Sequence, residues 1–235
     1  MILREKLEAL REYDSSLLAN TLDYVDDTSA AEWYMGGDIH SVTPDQGFTA
    51  GVAVTCKMDS STPGSEPDMS LYLAQLERMD AMDVPIVWVV EMVGPRPEHE
   101  CTLGDGTAKV LHSVGCIGAV TNGRVRDVAG LRTVPFSVYC RGTVVHHCAL
   151  RVTAVDEPVS VGGITVNPGD IIHASDEGVI KIAPAAVDKL LENASTMRAA
   201  EHEVHQVFRR SDMTIVEKHE YMHEVFTRFG FIRKD

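Results

Sequence analysis

Two short polar segments hold the residues best suited to chemistry. The first spans 104–107 and the second 126–127, and each follows an apolar stretch that predicts a β-strand. Since α/β sheets bind ligands beyond the carboxyl ends of their strands, we expect the two segments to share one site. The residues concerned are Gly104, Asp105, Gly106, Thr107, Arg126 and Asp127.

Each residue type in these segments suggests a role. If 104–107 opens a helix, its first N–H groups would bind a carboxylate, and Gly106 would let the ligand approach the backbone. Arg126 can grip a carboxylate through two hydrogen bonds. Asp127 offers oxygen ligands to a hard cation such as Mg²⁺, and Asp105 can hold a water or move a proton. Taken singly, however, GDG is a common turn and an Arg–Asp pair is most often a surface ion pair.

The composition argues against two kinds of partner. The net charge is -14 and the Lys and Arg residues are scattered, so the basic surface typical of nucleic-acid binders is missing. No apolar run reaches the length of a membrane span, and the first residues resemble a helix rather than a signal peptide. Without an export signal, the five cysteines are expected to be reduced. We therefore expect a cytoplasmic protein that binds neither nucleic acid nor membranes.

The first half of the chain alternates between predicted helices and strands, which indicates a mainly parallel sheet. Helices are predicted over 3–12, 15–25, 68–82 and 104–114, and strands over 47–56, 85–90 and 117–121, with a loop over 60–68. The apolar positions that predict the helix over 68–82 are Met69, Tyr72, Leu73, Leu76 and Met79.

The second half begins with short strands and ends in helices. Strands are predicted over 136–141, 150–155, 159–161, 171–174 and 179–182. Pro184 opens a long helix, and a last helix covers about 212–229, with Asp212 as its N-cap and Gly230 as its stop. We predict a single α/β domain over 1–183 and a helical C-terminal arm over 184–235, whose apolar positions are of the kind that packs on a neighbouring subunit.

Two histidine-containing segments suggest metal binding less strongly. His219-Glu-Tyr-Met-His223 matches the HExxH pattern of zinc proteases on a predicted helix. The third ligand of that site is missing, since the extended pattern needs Gly at 226 and His at 229 where this chain has phenylalanines. We interpret the match as accidental. His146-His147 has no partner cluster at metal-ligand spacing and is assigned to a loop at a sheet edge.

The order and spacing of the two polar segments resemble the RraA-like family, which includes 4-hydroxy-4-methyl-2-oxoglutarate aldolases. Active members carry an Asp, twenty intervening residues and then Arg-Asp, and here residues 106–125 separate Asp105 from Arg126. The resemblance extends over about residues 15–195. Further short motifs that carry it lie at 21–23, 51–55, 115–120, 161–170 and 174–179.

This resemblance implies a swivelling β/β/α sandwich, a homotrimer or homohexamer, and an active site at the subunit interface. It implies that Asp105 and Arg126 are catalytic, that 104–107 and Arg126 bind substrate, and that Asp127 ligates Mg²⁺ or Mn²⁺. Many members have two bulky apolar residues where this chain has Gly106-Thr107, so this wall of the site is smaller and more polar.

The expected function is that of a metal-dependent, class II-type aldolase. It would cleave a 4-hydroxy-2-oxo acid to pyruvate and a second carbonyl compound. Oxaloacetate decarboxylation needs the same enolate and is an expected side activity. Two alternatives remain: a non-catalytic RraA-type regulator that binds a ribonuclease, which gives no reason for Asp105, Arg126 and Asp127 to occur together, and a zinc protease, which depends on the HExxH match alone.

Overall fold

The protein has a mixed α/β fold of the expected β/β/α type. The computed structural model describes residues 3–147 and 149–232. Within them the α-helices are α1 Leu3–Leu10, α2 Ser15–Val25, α3 Ser70–Asp80, α4 Asp105–Ser113, α5 Val128–Leu131, α6 Val187–Phe208 and α7 Ile215–Arg228. None of these helices is long and apolar enough to cross a membrane.

One large sheet dominates the fold. The strands are β1 His40–Ser41, β2 Thr49–Met58, β3 Ile86–Met92, β4 Cys101–Leu103, β5 Cys116–Thr121, β6 Arg124–Val125, β7 Ser137–Cys140, β8 Val152–Val155, β9 Val159–Val161, β10 Ile164–Val166, β11 Ile171–Ser175 and β12 Gly178–Ile182. The large sheet has the order β1-β7-β5-β3-β2-β11-β12, with β8 also paired to β2, while β9-β10 and β4-β6 form separate pairs. Strands β2, β3, β5 and β7 are parallel, which confirms the prediction for the first half.

The alternation of side chains along β3 divides the core into two layers. Trp88 and Val90 point into a cluster that also holds apolar residues of α3 and α4. Val87 and Val89 point to the other face, where the β9-β10 hairpin covers them. Because both faces of β3 are covered, its sequence is a continuous apolar run, as is usual for a central parallel strand.

Helix α3 presents a different face to the sheet from the one predicted. Tyr72 and Met79 are buried, but Leu73 is 54% exposed, and the polar Gln75 is buried in its place. The Gln75 side chain accepts a hydrogen bond from Trp88 Nε1 at 2.9 Å and donates to the carbonyl of Thr55 at 2.8 Å. The buried indole N–H needs an acceptor, which explains why a glutamine takes a core position.

Helix α7 begins two residues later than predicted. Its N-cap is Thr214, whose hydroxyl accepts from the N–H of Glu217 while the Glu217 carboxylate accepts from the Thr214 N–H. This reciprocal capping box satisfies two helix donors, which Asp212 alone would not do. Asp212 instead forms an ion pair with Arg210. The predicted stop is confirmed, since Gly230 has a φ of +87° directly after the helix.

Helix α6 packs along its length on other helices of the same chain. Val187, Leu190 and Ala194 join a cluster with α1, α2 and the β11-β12 edge of the sheet. Further along, Met197 and Val204 contact residues of α2, α7 and the segment after α7. The apolar face of the helix is thus covered within the chain, and the division at residues 183 and 184 stays a prediction.

His173 is a fully buried histidine at the middle of β11. Its Nδ1 lies 3.0 Å from Ser15 Oγ, at the start of α2, and its Nε2 is also buried. Burial lowers the pKa of His173 from its usual 6.5 to about 4. The ring is therefore neutral in the folded protein at neutral and mildly acidic pH.

We expect His173 to make the fold acid-sensitive between pH 6.5 and 4. Its pKa is lower in the folded than in the unfolded state, so its contribution is complete above the unfolded pKa and is lost as pH falls. From pH 7 to 4.5 the loss should be about 2 to 3 kcal/mol. The free energy of unfolding of His173→Gln, measured with urea, should depend correspondingly less on pH than that of the wild type. His112→Gln, which replaces an exposed histidine, should show the pH dependence of the wild type. An unchanged pH dependence in His173→Gln would contradict this assignment.

The described cysteines lie in the core. Cys56, Cys116 and Cys140 are buried free thiols, which agrees with the expectation of a reduced protein, and Cys101 is buried as well. Burial raises the pKa of the Cys116 thiol to about 12 and that of Cys140 to about 11, so neither is a reactive thiolate. Cys148 lies outside the described residues.

Candidate functional site

A small parallel strand pair brings the two polar segments together. Strands β4 and β6 pair in parallel with Leu103 opposite Val125, and the N–H of Arg126 donates to the Leu103 carbonyl at 3.1 Å. The residues that follow each strand, 104–107 and 126–127, therefore emerge side by side. The sequence predicted this meeting from strands of the main sheet. That basis was wrong, because the two segments follow a separate two-stranded sheet.

Segment 104–107 opens helix α4, as predicted. Gly104 is the N-cap and has no side chain to satisfy the first N–H groups, and Asp105 begins the helix. The unsatisfied N–H groups and the helix dipole give this end a positive potential, which favours a carboxylate or phosphate ligand. Thr107 is half-buried and Gly106 is exposed, so a ligand can reach the backbone.

Gly104 is needed where the two segments touch. A Cβ atom at this position would lie 2.7 Å from Asp127 Oδ2 and 3.1 Å from Arg126 Cγ. Gly130 plays a similar part beside Asp105, since a Cβ there would lie 2.8 Å from the Asp105 Cβ. Both glycines allow an approach that any larger residue would block, and they fix the spacing of the polar side chains.

Asp127 has an unusual backbone conformation for a residue with a side chain. Its φ of 55° and ψ of 40° place it in the left-handed region. Asp tolerates this region better than most residues, but the conformation still costs free energy. Such outliers are enriched at functional sites, where the surrounding structure imposes them. Here the conformation turns the chain from β6 into α5 and brings the Asp127 carboxylate beside Gly104.

Ion pairs organise the charges of the site. Arg126 Nε lies 3.2 Å from Asp127 Oδ2, with about a third of each side chain or more exposed. Lys109 Nζ lies 2.7 Å from Asp105 Oδ2, one helical turn along α4. The hydrogen bond from Lys109 is the largest cause that lowers the pKa of Asp105 below its usual range, and Arg126 contributes in the same direction. Asp105 is therefore a carboxylate throughout the neutral range.

All six predicted site residues line one pocket of about 340 Å³. Its remaining lining comes from β4 and from the segment after β7: Cys101, Thr102, Leu103, His147 and Leu150. Sequence reasoning missed His147, although it correctly assigned this residue to a loop. The segment after β7 pairs with β6 through two backbone hydrogen bonds. The Val125 N–H donates to the Gly142 carbonyl, and the Val144 N–H donates to the Val125 carbonyl. A loop that returns by such backbone pairing carries no sequence motif.

The oxygen donors of the pocket fit a hard divalent cation. Among the described residues no group of three or more His, Cys, Asp or Glu side chains is placed to hold a metal ion. A cation at Asp127 would therefore take its other ligands from water and substrate. Mg²⁺ commonly binds in this way, through one or two carboxylates and several waters.

The match to a known protein family covers most of the chain. Residues 19–181 match the RraA-like family, described as Aldolase/RraA, and the chain belongs to that family. All the residues that line the pocket, from Cys101 to Leu150, lie inside the matched region.

Two relatives align with the chain over a limited stretch, and within that stretch about a third of the residues are identical. Protein DlpA of Legionella pneumophila is 32% identical over 108 residues, which cover 45% of this chain and 18% of that protein. A protein of Halalkalibacterium halodurans named "Putative 4-hydroxy-4-methyl-2-oxoglutarate aldolase" is 29% identical over 106 residues, which cover 43% of this chain and 50% of that protein. The chain thus matches half or less of the length of these two relatives.

The fold also occurs among solved structures. RraAS2 of Streptomyces coelicolor, described as an unusual member of the RNase ES inhibitor RraA protein family, has a TM-score of 0.66 at 24% identity. The similarity covers 88% of this chain and 96% of that one. At this identity the likeness establishes the fold alone, and the activity has to be argued from the pocket.

Proposed function

We propose that this protein is a divalent-metal-dependent carbon–carbon lyase. It cleaves a 4-hydroxy-2-oxo acid to pyruvate and a second carbonyl compound. The observation that carries the proposal is the convergence of Asp105, Arg126 and Asp127 on one pocket at the N-terminus of α4. Family membership supports a lyase, since the family includes proteins named as aldolases.

The substrate carboxylate fits between the start of α4 and Arg126. Helix N–H groups donate to one oxygen and the guanidinium to the other, so the 2-oxo acid is held by its charged end. In this proposal Arg126 would also face the negative charge that develops as the C3–C4 bond breaks and an enolate forms. A fixed cation at that point stabilises the transition state more than the bound substrate.

Asp127 would hold the metal, and Asp105 would position a water. When bound, a divalent cation supplies Lewis-acid polarisation of the 2-oxo group. Asp105 is a poor base because its pKa is lowered, chiefly by the hydrogen bond from Lys109. Its carboxylate is instead a steady acceptor that can orient a water to take the C4 hydroxyl proton, and the enolate takes up one proton at C3 to give pyruvate, so the step balances. Oxaloacetate decarboxylation, which forms the same enolate, belongs to the proposal as a side activity.

The proposal includes a homotrimer or homohexamer whose subunits meet at this pocket. Two features support it. Gly106 and Asp127 are exposed in the single chain, so one side of the pocket has no wall. Enzymes that stabilise an enolate usually exclude water from the reacting atoms, which a neighbouring subunit would do here.

A pyruvate-release assay tests the proposal. With 4-hydroxy-2-oxo acids or oxaloacetate, we expect activity only when Mg²⁺ or Mn²⁺ is present, and complete loss after exhaustive chelation. Asp127→Asn keeps the left-handed backbone accessible and removes the charge. This variant should therefore need a higher metal concentration for half-maximal rate, and excess Mn²⁺ should restore part of it.

Two results would overturn the proposal. Full activity in the chelated enzyme would exclude the role given to Asp127. No activity on any of these acids, together with stoichiometric binding to a ribonuclease, would show that the chain is a regulator of the RraA type. A matched variant, Asp38→Asn at an exposed ion pair outside the pocket, should keep the metal requirement of the wild type.

A further inference from the structure

A second cavity lies between helices α2, α6 and α7. Its volume is about 660 Å³, within the range of small-molecule sites, and it shares no lining residue with the proposed catalytic pocket. His219 and His223 of the HExxH segment both line it. The function proposed above makes no use of this cavity.

Three aromatic rings border the cavity and contact one another. The Tyr24 ring stacks on Phe226 with centroids 6.2 Å apart and lies tilted over Phe231 at 5.2 Å. Phe226 and Phe231 meet edge to face at 6.3 Å. The three rings thus form one cluster in the wall of the cavity, and aromatic faces attract cations.

The charges of the lining have one sign. Asp23 and Glu201 line the cavity, and none of the described lining residues is Lys or Arg. Asn20 Nδ2 donates to Glu201 Oε1 at 2.7 Å and holds that carboxylate in place. A cation with an apolar body would neutralise the carboxylates and cover the rings.

Nearby arginines are engaged elsewhere. Arg228 forms an ion pair with Glu203, and the guanidinium of Arg198 lies 4.4 Å from the centre of the Tyr13 ring. Neither residue lines the cavity. Among the described residues, no lysine or arginine lines the cavity beside Asp23 and Glu201.

The histidines do not form a metal site with these carboxylates. The rings of His219 and His223 lie 4.6 Å apart, one helical turn from each other. Yet the described residues include no group of three His, Cys, Asp or Glu side chains placed to hold a metal ion. The two imidazoles instead add two further rings to the wall.

We propose that this cavity binds a small organic cation, an ammonium group carried on an apolar body. The aromatic rings hold the ammonium by cation–π attraction, and Asp23 and Glu201 supply the opposite charge. Such a site is independent of the proposed lyase reaction, and binding is measured without any activity assay.

Titration calorimetry of the full chain with choline and with its neutral isostere 3,3-dimethylbutan-1-ol tests the site. Both probes have the same shape, so they differ in charge alone. Choline should bind about tenfold more tightly than the alcohol. Phe226→Leu and Glu201→Gln should each weaken choline binding by about tenfold as well, because one removes a ring and the other removes a charge. Glu192→Gln, an exposed residue on α6 outside the cavity, should bind choline like the wild type.

Three results would overturn the proposal. Equal affinity for choline and the alcohol would show an apolar cavity without charge recognition. If choline does not bind at concentrations up to roughly 10 mM, its binding free energy is weaker than about 3 kcal/mol, and there is no such site. Stoichiometric Zn²⁺ binding that displaces choline and disappears in His223→Ala would assign the cavity to a metal. Circular dichroism checks the fold, and Glu201→Gln carries the test if Phe226→Leu does not fold.

Discussion

Replacing Arg126 with alanine is expected to lower kcat/KM for the proposed substrate by roughly 100- to 1,000-fold. The guanidinium contacts the carboxylate in the bound substrate and also faces the charge of the developing enolate. KM should therefore rise and kcat should fall together, since the interaction operates in both states. Steady-state kinetics with saturating Mg²⁺ measures both constants.

Two further variants distinguish the shape of the arginine from its charge. Arg126→Lys keeps the charge but loses the planar guanidinium and its fixed donors, so it should recover only part of the rate. Arg132→Ala removes an exposed arginine that lies outside the pocket and should be close to wild type. Suppose instead that Arg126→Ala abolishes the cooperative melt or dissolves an oligomer. Arg126 and Asp127 would then be a structural ion pair, and the site assignment would be wrong.

Much of the fold follows from patterns of hydrophobicity that the sequence displays directly. The apolar run over 85–90 becomes β3, which is covered on both faces, and the GDGT segment opens α4 as predicted. The parallel order of the central strands follows from their alternation with helices. These features depend on residues close together in the chain, and such local signals are the most reliable.

Strands β4 and β6 were not predicted from the sequence. β4 and β6 have three and two residues, too few to show any alternation, yet their pairing is what brings Asp105 and Arg126 together. The position of His147 at the pocket depends on backbone hydrogen bonds to β6, which leave no mark on residue type. Long-range pairing of this kind is set by the whole fold.

The buried face of α3 and the start of α7 were predicted less well, because a specific hydrogen bond decides each of them. The apolar stripe of α3 included Leu73, but the structure buries Gln75 to bond the Trp88 indole. The start of α7 was misplaced because two N-cap residues compete within three positions. Thr214 wins because Glu217 completes a reciprocal capping box with it. In both cases a specific hydrogen bond outweighs a preference of the residue type.

Placing alanine at Gly104 is expected to lower kcat/KM by roughly 100-fold while the protein stays folded. The added Cβ would lie 2.7 Å from Asp127 Oδ2 and 3.1 Å from Arg126 Cγ, so both side chains must move. A displacement of about 1 Å in a positioning group can cost two decades of rate. Kinetic constants and the urea midpoint are measured together.

A serine at the same position distinguishes the effect on the site from the effect on the helix N-cap. Gly104→Ser carries the same Cβ but restores a good N-cap, so it should be more stable than Gly104→Ala by about 1 kcal/mol. Its activity should nevertheless be as low, because the obstruction is unchanged. Gly37→Ala is the matched control, since a Cβ there meets nothing within 4 Å. If Gly104→Ala keeps wild-type kinetics, the contact between Gly104 and the Arg126-Asp127 pair does not set the geometry of catalysis, and the role assigned to that pair fails with it.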